Sequence, residues 1–157
     1  VELTISFFIL AGLMVYYRML PTIYALWVPA IILYTMTVAL TISFFGASLN
    51  VYYRDIGQAL PVALSLAMYL SPVIYPLSLV HKKLITEQGA GIYSELLYSL
   101  YTLNPLAGII DSFQRVLLKG VPPDFESMLP GFLLTICILP LTYLYFKRAE
   151  NWFADVI

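Results

Sequence analysis

From Met19 to Asn50 the chain carries no Asp, Glu, Lys or Arg. A charge at the centre of a bilayer-spanning helix costs roughly 2.5–3.5 kcal/mol on insertion scales, and about 20 predominantly apolar residues suffice to cross. A run longer than one crossing requires therefore constrains the chain to an all-α integral membrane fold. Composition agrees: 61% of the residues are hydrophobic, 11% are charged and the mean hydropathy is +0.88, against roughly 45–50% and about 25% in soluble domains. The net charge of −1 and the lack of a clustered basic face argue against a nucleic-acid partner.

The same reading of charge gaps gives three further crossings. Leu3 to Tyr17, Ile56 to Val80 and Ser127 to Phe146 are uncharged. We expect transmembrane helices over 3–17, 29–49, 60–80 and 127–146. Pro29, Pro61 and Pro130 mark the beginnings of the last three, because a proline in the first helical turn lacks only an N–H that would have no partner there. Lys147-Arg148 closes the fourth, and 147–157 is expected to be a tail. The first run is short, and the chain opens on Val1-Glu2-Leu3, so residue 1 is expected to be an internal position of a longer protein.

Between the last two spans, 81–126 is expected to lie on one side of the membrane. His81 to Gly91 is polar, with His81 a lone surface residue. Interfacial or re-entrant helices are expected near 92–103, too short to cross, and 105–118. Asn104 can cap the second helix through its side-chain oxygen, and Pro105 is preorganised for its first turn. Asp111 and Arg115, spaced i,i+4, are expected to form a solvated pair. Cys137 stands alone, so no disulfide within the chain is possible; it is expected to be a small core residue.

Two features point to transport. A compact Arg54-Asp55 island separates two apolar runs, and the second run carries Ser71-Pro72-Val73-Ile74-Tyr75-Pro76. Each interior proline removes a backbone hydrogen bond and clashes with the preceding turn. In a membrane such a break is tolerated where neighbouring helices or a water-lined cavity satisfy the freed carbonyls. The break is either part of a pathway wall or a packed kink.

The residues resemble a known family, the ABC-2 type permeases that export polysaccharides or polyol phosphates such as O-antigen, capsule and teichoic acid. The resemblance is carried by Asn50-Val51-Tyr52-Tyr53-Arg54-Asp55-Ile56, by Leu70 to Pro76, by Leu103-Asn104-Pro105-Leu106-Ala107-Gly108-Ile109-Ile110, and by Phe153-Ala154-Asp155-Val156-Ile157. It implies that the chain holds spans three to six of a six-span permease in a bacterial or archaeal inner membrane, with 147–157 cytoplasmic and 81–126 extracytoplasmic. The Lys and Arg count alone weakly favours the opposite orientation: Arg54, Lys147 and Arg148 fall on one side, and Arg18, Lys82, Lys83, Arg115 and Lys119 on the other.

The resemblance further implies a homodimer driven by a separate ATP-binding cassette ATPase, carrying a lipid-linked glycan. The permease itself would hold no cofactor and catalyse no reaction. The sequence contains no Gly-x-x-x-x-Gly-Lys-[Ser/Thr] phosphate loop. On this reading Asn50, Arg54 and Asp55 couple to the ATPase, or the charges merely anchor helix ends in headgroups. Tyr69, Ser71, Pro72, Tyr75, Pro76, Asn104 and Pro105 line the translocation path or its outer gate. The tyrosine rings would offer a sliding sugar chain apolar faces and hydroxyls. Tyr16, Tyr17, Trp27, Tyr143, Tyr145 and Trp152 are expected in the interfacial belts. An ABC-2 permease for drugs or lipids is the alternative. A membrane-embedded glycosyltransferase or polymerase is a weaker one, since beyond Glu2 the expected spans carry no acid or base for catalysis.

Overall fold

A computed structural model of the chain describes residues 2–18, 22–53, 55–71, 73, 77, 80, 82 and 92–153. Among them there are helices and turns and no strand. Helix α1 spans Glu2–Tyr16. A 3-10 turn, Ile23–Trp27, leads into α2, Val28–Tyr52, with Pro29 in its first turn. Helix α3 is Ile56–Leu70 and α4 is Ile92–Thr102. Helix α5, Pro105–Phe113, continues as a π-helix over Gln114–Lys119, and α6 is Phe125–Phe153.

Two segments, Ile23–Tyr52 and Phe125–Glu150, are long and apolar enough to cross a membrane. Only 22% and 17% of their most apolar windows are buried, unlike the mostly buried core helix of a soluble domain. Leu33, Met36, Leu133 and Leu144 instead point their side chains outward. By contrast, α1 and α3 have 15 residues each; at 1.5 Å per residue each covers roughly 22 Å of a hydrocarbon core of about 30 Å. Four crossings were expected; among the described residues two helices have the length, and the expected span 60–80 runs on into residues outside them.

Helices α2 and α6 run side by side and parallel. Trp27 meets Phe125 at 5.2 Å between ring centroids, Tyr34 meets Phe132 at 5.3 Å, and Phe44 meets Tyr143 at 5.6 Å and Phe146 at 5.3 Å. The residue numbers climb together, so both helices start at one face, here the Trp27 face, and end at the other, the Tyr52 face. Six positions of α2 are buried; Ile31, Tyr34, Val38, Thr41 and Ser48 follow steps of three and four with one position skipped, the seam of a left-handed helix pair, and Gly46 lies off that seam, against Leu60 of α3. Facing them, α6 buries small residues: Ser127, Gly131, Thr135, Thr142 and Ala149. Small side chains let backbones approach closely where no hydrophobic drive separates helix from lipid.

Two parallel helices in one chain require a net return between them, and α3 supplies it. Gly57 lies at Asn50, and Leu60 packs at Gly46, so α3 runs antiparallel to α2. Helix α1 is also antiparallel to α2: its end leads to the Ile23 turn, while Phe7 and Leu10 share a cavity of about 220 Å³ with Ile32 and Thr35.

Element boundaries differ from the sequence expectation in several places: α3 and α6 begin at Ile56 and Phe125, so Pro61 and Pro130 lie inside their helices rather than in the first turn. Helix α3 stops at Leu70, with Ser71 extended at ψ 153°, because a residue before proline is pushed out of the helical region. The last helix does not stop at Phe146; it carries Lys147 and Arg148 on to Phe153. The helix begun at Pro105 changes to π geometry at Gln114 and ends at Gly120. Gly120 has φ 63°, and a Cβ there would stand 2.5 Å from Thr22 Oγ1, so this turn needs glycine for both conformation and space.

Candidate functional site

The residues between α4 and α5 form the tip of a short helical hairpin. Asn104 is extended (φ −67°, ψ 110°), and its side-chain oxygen accepts a hydrogen bond from Leu106 N at 3.1 Å. Pro105 follows at the first helical position. The cap satisfies one of the donors that a helix start leaves without a partner. The hairpin tip is not at the Trp27 face. Pro105 packs at Gly131 and Gly108 at Met128, whereas Arg115 reaches back to Asp124. Helix α5 thus climbs antiparallel to α6 from a point six residues inside it, roughly 9 Å along its axis.

Two glycines allow this depth. A Cβ on Gly131 would lie 2.7 Å from Pro105 Cα and 3.2 Å from the Tyr34 hydroxyl. A Cβ on Gly108 would lie 2.9 Å from Met128 Cα. In both cases the obstacle is backbone, which cannot step aside as a side-chain tip can. Ser112 on α5, fully buried, turns its hydroxyl toward Met128 Sδ at 3.6 Å. Neither glycine was singled out from sequence, although Ser127-x-x-x-Gly131-x-x-x-Thr135 has the small-residue spacing of a helix contact.

At the tip, two residues that sequence reasoning named separately come together. Asn104 Nδ2 donates to Ser71 Oγ at 3.0 Å, joining the end of α3 to the hairpin. Ser71 is 1% exposed, and its own hydroxyl donates to Ala67 O at 2.8 Å. Asn104 and Pro105 also line a cavity of about 750 Å³, walled by Val38, Ala67, Leu134 and Leu141 among others. Thr41, Thr135 and Thr142 face the same cavity, yet each hydroxyl bonds a carbonyl of its own helix: Thr37 O at 2.9 Å, Gly131 O at 2.7 Å and Leu139 O at 2.9 Å. Their donors are thus spent within the helices, and the cavity wall is apolar. It suits hydrocarbon better than a hydroxyl-rich chain.

The other named residues are dispersed. Tyr69 is 63% exposed and does not line the cavity. Asn50 turns its side chain onto the start of α3, where Oδ1 accepts from Gly57 N at 3.0 Å. Asp55 occupies the cap position of α3, exposed and without a side-chain capping bond. Arg54, Pro72, Tyr75 and Pro76 lie outside the described residues, as does His81.

Two expectations are overturned. Asp111 and Arg115 do not form a solvated pair: Asp111 is 4% exposed, and Arg115 bonds across the turn to Asp124 Oδ2 at 3.4 Å and to Pro122 O at 3.2 Å. The π-helix and the Gly120 turn bring Asp124 within reach of Arg115, a tertiary partner that outcompetes the i,i+4 one. Burial holds the Asp111 carboxyl above its ordinary pKa; Arg115 and Lys119 oppose the shift and Asp124 adds to it. Cys137 is not in the core but exposed on α6. Thr135 and Thr142 hold the buried seam of that helix, and Cys137 falls on another face. Among the described residues no group of three or more His, Cys, Asp or Glu is placed to hold a metal ion.

No family model and no solved structure matches the chain. Three curated proteins do. The O-antigen export system permease protein RfbA of Myxococcus xanthus is 26% identical over 141 residues, covering 90% of this chain and 50% of that protein. Two proteins of the same name from Klebsiella pneumoniae are 27% and 23% identical over 145 residues, each covering 90% of this chain and 49% of its own length. The chain spans about half the length of the curated relatives it matches. The resemblance read from residues 50–56, 70–76, 103–110 and 153–157 is borne out: this chain is similar to O-antigen export permeases over nearly all of its length.

Proposed function

We propose that the chain is part of the membrane-spanning permease of an ABC exporter that moves a cell-surface polysaccharide of O-antigen type, linked to a lipid, across the inner membrane. The observation that carries this reading is the likeness to three proteins named as O-antigen export permeases, in a chain whose two longest helices run parallel with a return helix between them. In the proposed topology α1 and α3 complete two more crossings, giving four. The Tyr52 face is cytoplasmic, and the α4–α5 hairpin dips into the membrane from outside.

Energy comes from a separate ATP-binding cassette subunit, which meets the α2–α3 turn around Asn50, Arg54 and Asp55. A second copy of the permease completes the channel. The apolar cavity beneath Asn104 fits the lipid portion of the cargo rather than its sugars, so the glycan passes along a surface shared by two copies. Capsular polysaccharide and teichoic acid remain within the same substrate class. A permease for drugs or small lipids is the less favoured reading, because the relatives are named for O-antigen export.

Deleting the full-length gene in its source cell tests this. The expected result is loss of surface polysaccharide with lipid-linked polymer accumulating inside, restored by the intact gene supplied in trans. Normal surface polysaccharide, together with lost resistance to apolar drugs, would favour the alternative.

A further inference from the structure

The hairpin and α3 are held in opposite ways. Helix α5 is locked on α6 by backbone contacts at Gly108 and Gly131, and Ala107, Ile109, Ser112 and Val116 along it are buried. Helix α3 has no buried side chain among those described; Ile56, Leu60 and Ala67 are half-buried, while Val62, Leu66 and Tyr69 are 60% exposed or more. It is tied at its start by Asn50 Oδ1 to Gly57 N and at its end by Asn104 Nδ2 to Ser71 Oγ, both at 3.0 Å.

The second of these ties is built to part. Ser71 keeps its hydrogen bond to Ala67 O, and Asn104 keeps its cap on Leu106 N, whether or not the two meet. Breaking the contact strands no cap and no hydroxyl proton; its cost is confined to the one amide N–H left at the apolar cavity wall. A single side-chain contact between a post fixed by backbone packing and a helix tied to its described neighbours mainly at its two ends can serve as a two-state element.

We propose that Asn104 is a positioning residue that latches the far end of α3. With the bond made, Ala67 closes one wall of the apolar cavity. With it released, α3 pivots about the Asn50–Gly57 tie and the cavity opens beside it. A displacement at the α2–α3 turn is carried along the 15 residues of α3 to Ser71, roughly 22 Å away, while α5 and α6 stay fixed. The moving part of the hairpin contact is thus α3, and the hairpin tip is its stop.

The inference rests on the transport reading in one arm of its test and is free of it in the other. In the first arm, full-length permease with its ATPase is placed in proteoliposomes with lipid-linked polysaccharide, and ATP hydrolysed per polymer delivered is measured. Ser71→Ala removes the acceptor; Asn104→Ser retains a capping hydroxyl but is too short to reach Ser71. Each is expected to raise the ratio roughly three- to tenfold, the equilibrium change that one hydrogen bond of ordinary net strength supplies, and the double variant is expected to match either single one. A general folding defect lowers hydrolysis and delivery together and leaves the ratio alone. Unchanged ratios, or effects that multiply in the double variant, overturn the latch.

In the second arm, spin labels at Tyr69→Cys and Leu129→Cys, in a Cys137→Ser background, report the distance from α3 to α6 in reconstituted permease without cargo. Either latch variant is expected to add a longer-distance population. The same distribution in all forms overturns the latch whatever the protein carries. Should the unaltered protein move no polysaccharide, the transport reading fails and this second arm alone decides the latch.

Discussion

Helices α3 and α5 meet at one hydrogen bond, yet they are organised by contrary physics. Helix α5 is short, nine residues, too short to stand alone in water or lipid, and is defined by what it packs against. Glycines at 108 and 131 bring its backbone against that of α6, so its position is set by contacts that cannot relax. Helix α3 is longer and carries Pro61 inside it, where the N–H that would have bonded back to the Gly57 carbonyl is missing. At Gly46 of α2 it presents Leu60, a flexible side-chain end rather than backbone. One helix is wedged, the other leans. In a membrane, where burial drives helices together only weakly, packing precision decides which elements move.

The contrast predicts its largest effect at the glycines. Gly131→Ala and Gly108→Ala each force a Cβ into backbone 2.7 and 2.9 Å away; overpacking of this kind costs roughly 1–3 kcal/mol, more than the helix propensity gained from alanine. Both variants are expected to lower the unfolding midpoint of the full-length protein in detergent. Gly46→Ala is the control: the atoms nearest its Cβ would all belong to the Leu60 side chain, Cδ2 at 3.2 Å and Cδ1 at 3.4 Å, which a rotamer change relieves, so it is expected to be neutral or mildly stabilising. Equal destabilisation at 46 and 131 would break the distinction between the wedged helix and the leaning one.

A smaller effect is expected at the other end of α3. Asn50→Ala removes the acceptor for Gly57 N, and loss of such a cap costs about 1 kcal/mol. Because α3 buries little, the loss should appear as faster hydrogen exchange in the first turn of α3, with α5 and α6 unaffected. Protection lost across α5 as well would mean that the two helices form one cooperative unit.

Much of this architecture is legible in the amino-acid order, and the part that is not has a common cause. The uncharged run to Asn50 and the one from Ser127 mark α2 and α6, since charge exclusion acts residue by residue. The Asn104-Pro105 cap is equally local and lies where its chemistry puts it. What stays hidden depends on partners far along the chain. The Ser71–Asn104 bond spans 33 residues, and parallel packing of α2 on α6 follows from ring pairs about a hundred residues apart. Arg115 illustrates the failure most plainly: i,i+4 spacing favours Asp111, but a π-helical turn and Gly120 deliver Asp124 instead. Cys137 reads as core because its neighbours are apolar, and apolar neighbours do not mark an inside when lipid can cover the outside.

The smallest predicted effect sharpens the wedged side of the contrast. Asp111 is buried in α5, faced by Arg115 and Lys119 on the same helical segment and by Asp124 from the turn, with Tyr98 of α4 also feeling its charge. Its carboxyl holds a proton more firmly when folded than when unfolded. The folded state is therefore favoured at low pH, and that contribution declines as pH rises from the ordinary carboxylate pKa of about 4 through the raised folded value. Asp111→Asn keeps the shape and abolishes the titration. The variant should unfold at a higher temperature than the parent at neutral pH, with the advantage shrinking as the medium is acidified toward the ordinary carboxylate range. An advantage that grew on acidification would mean that Asp111 is held ionised by Arg115 and Lys119, and that α5 is fastened by charge as well as by its glycines.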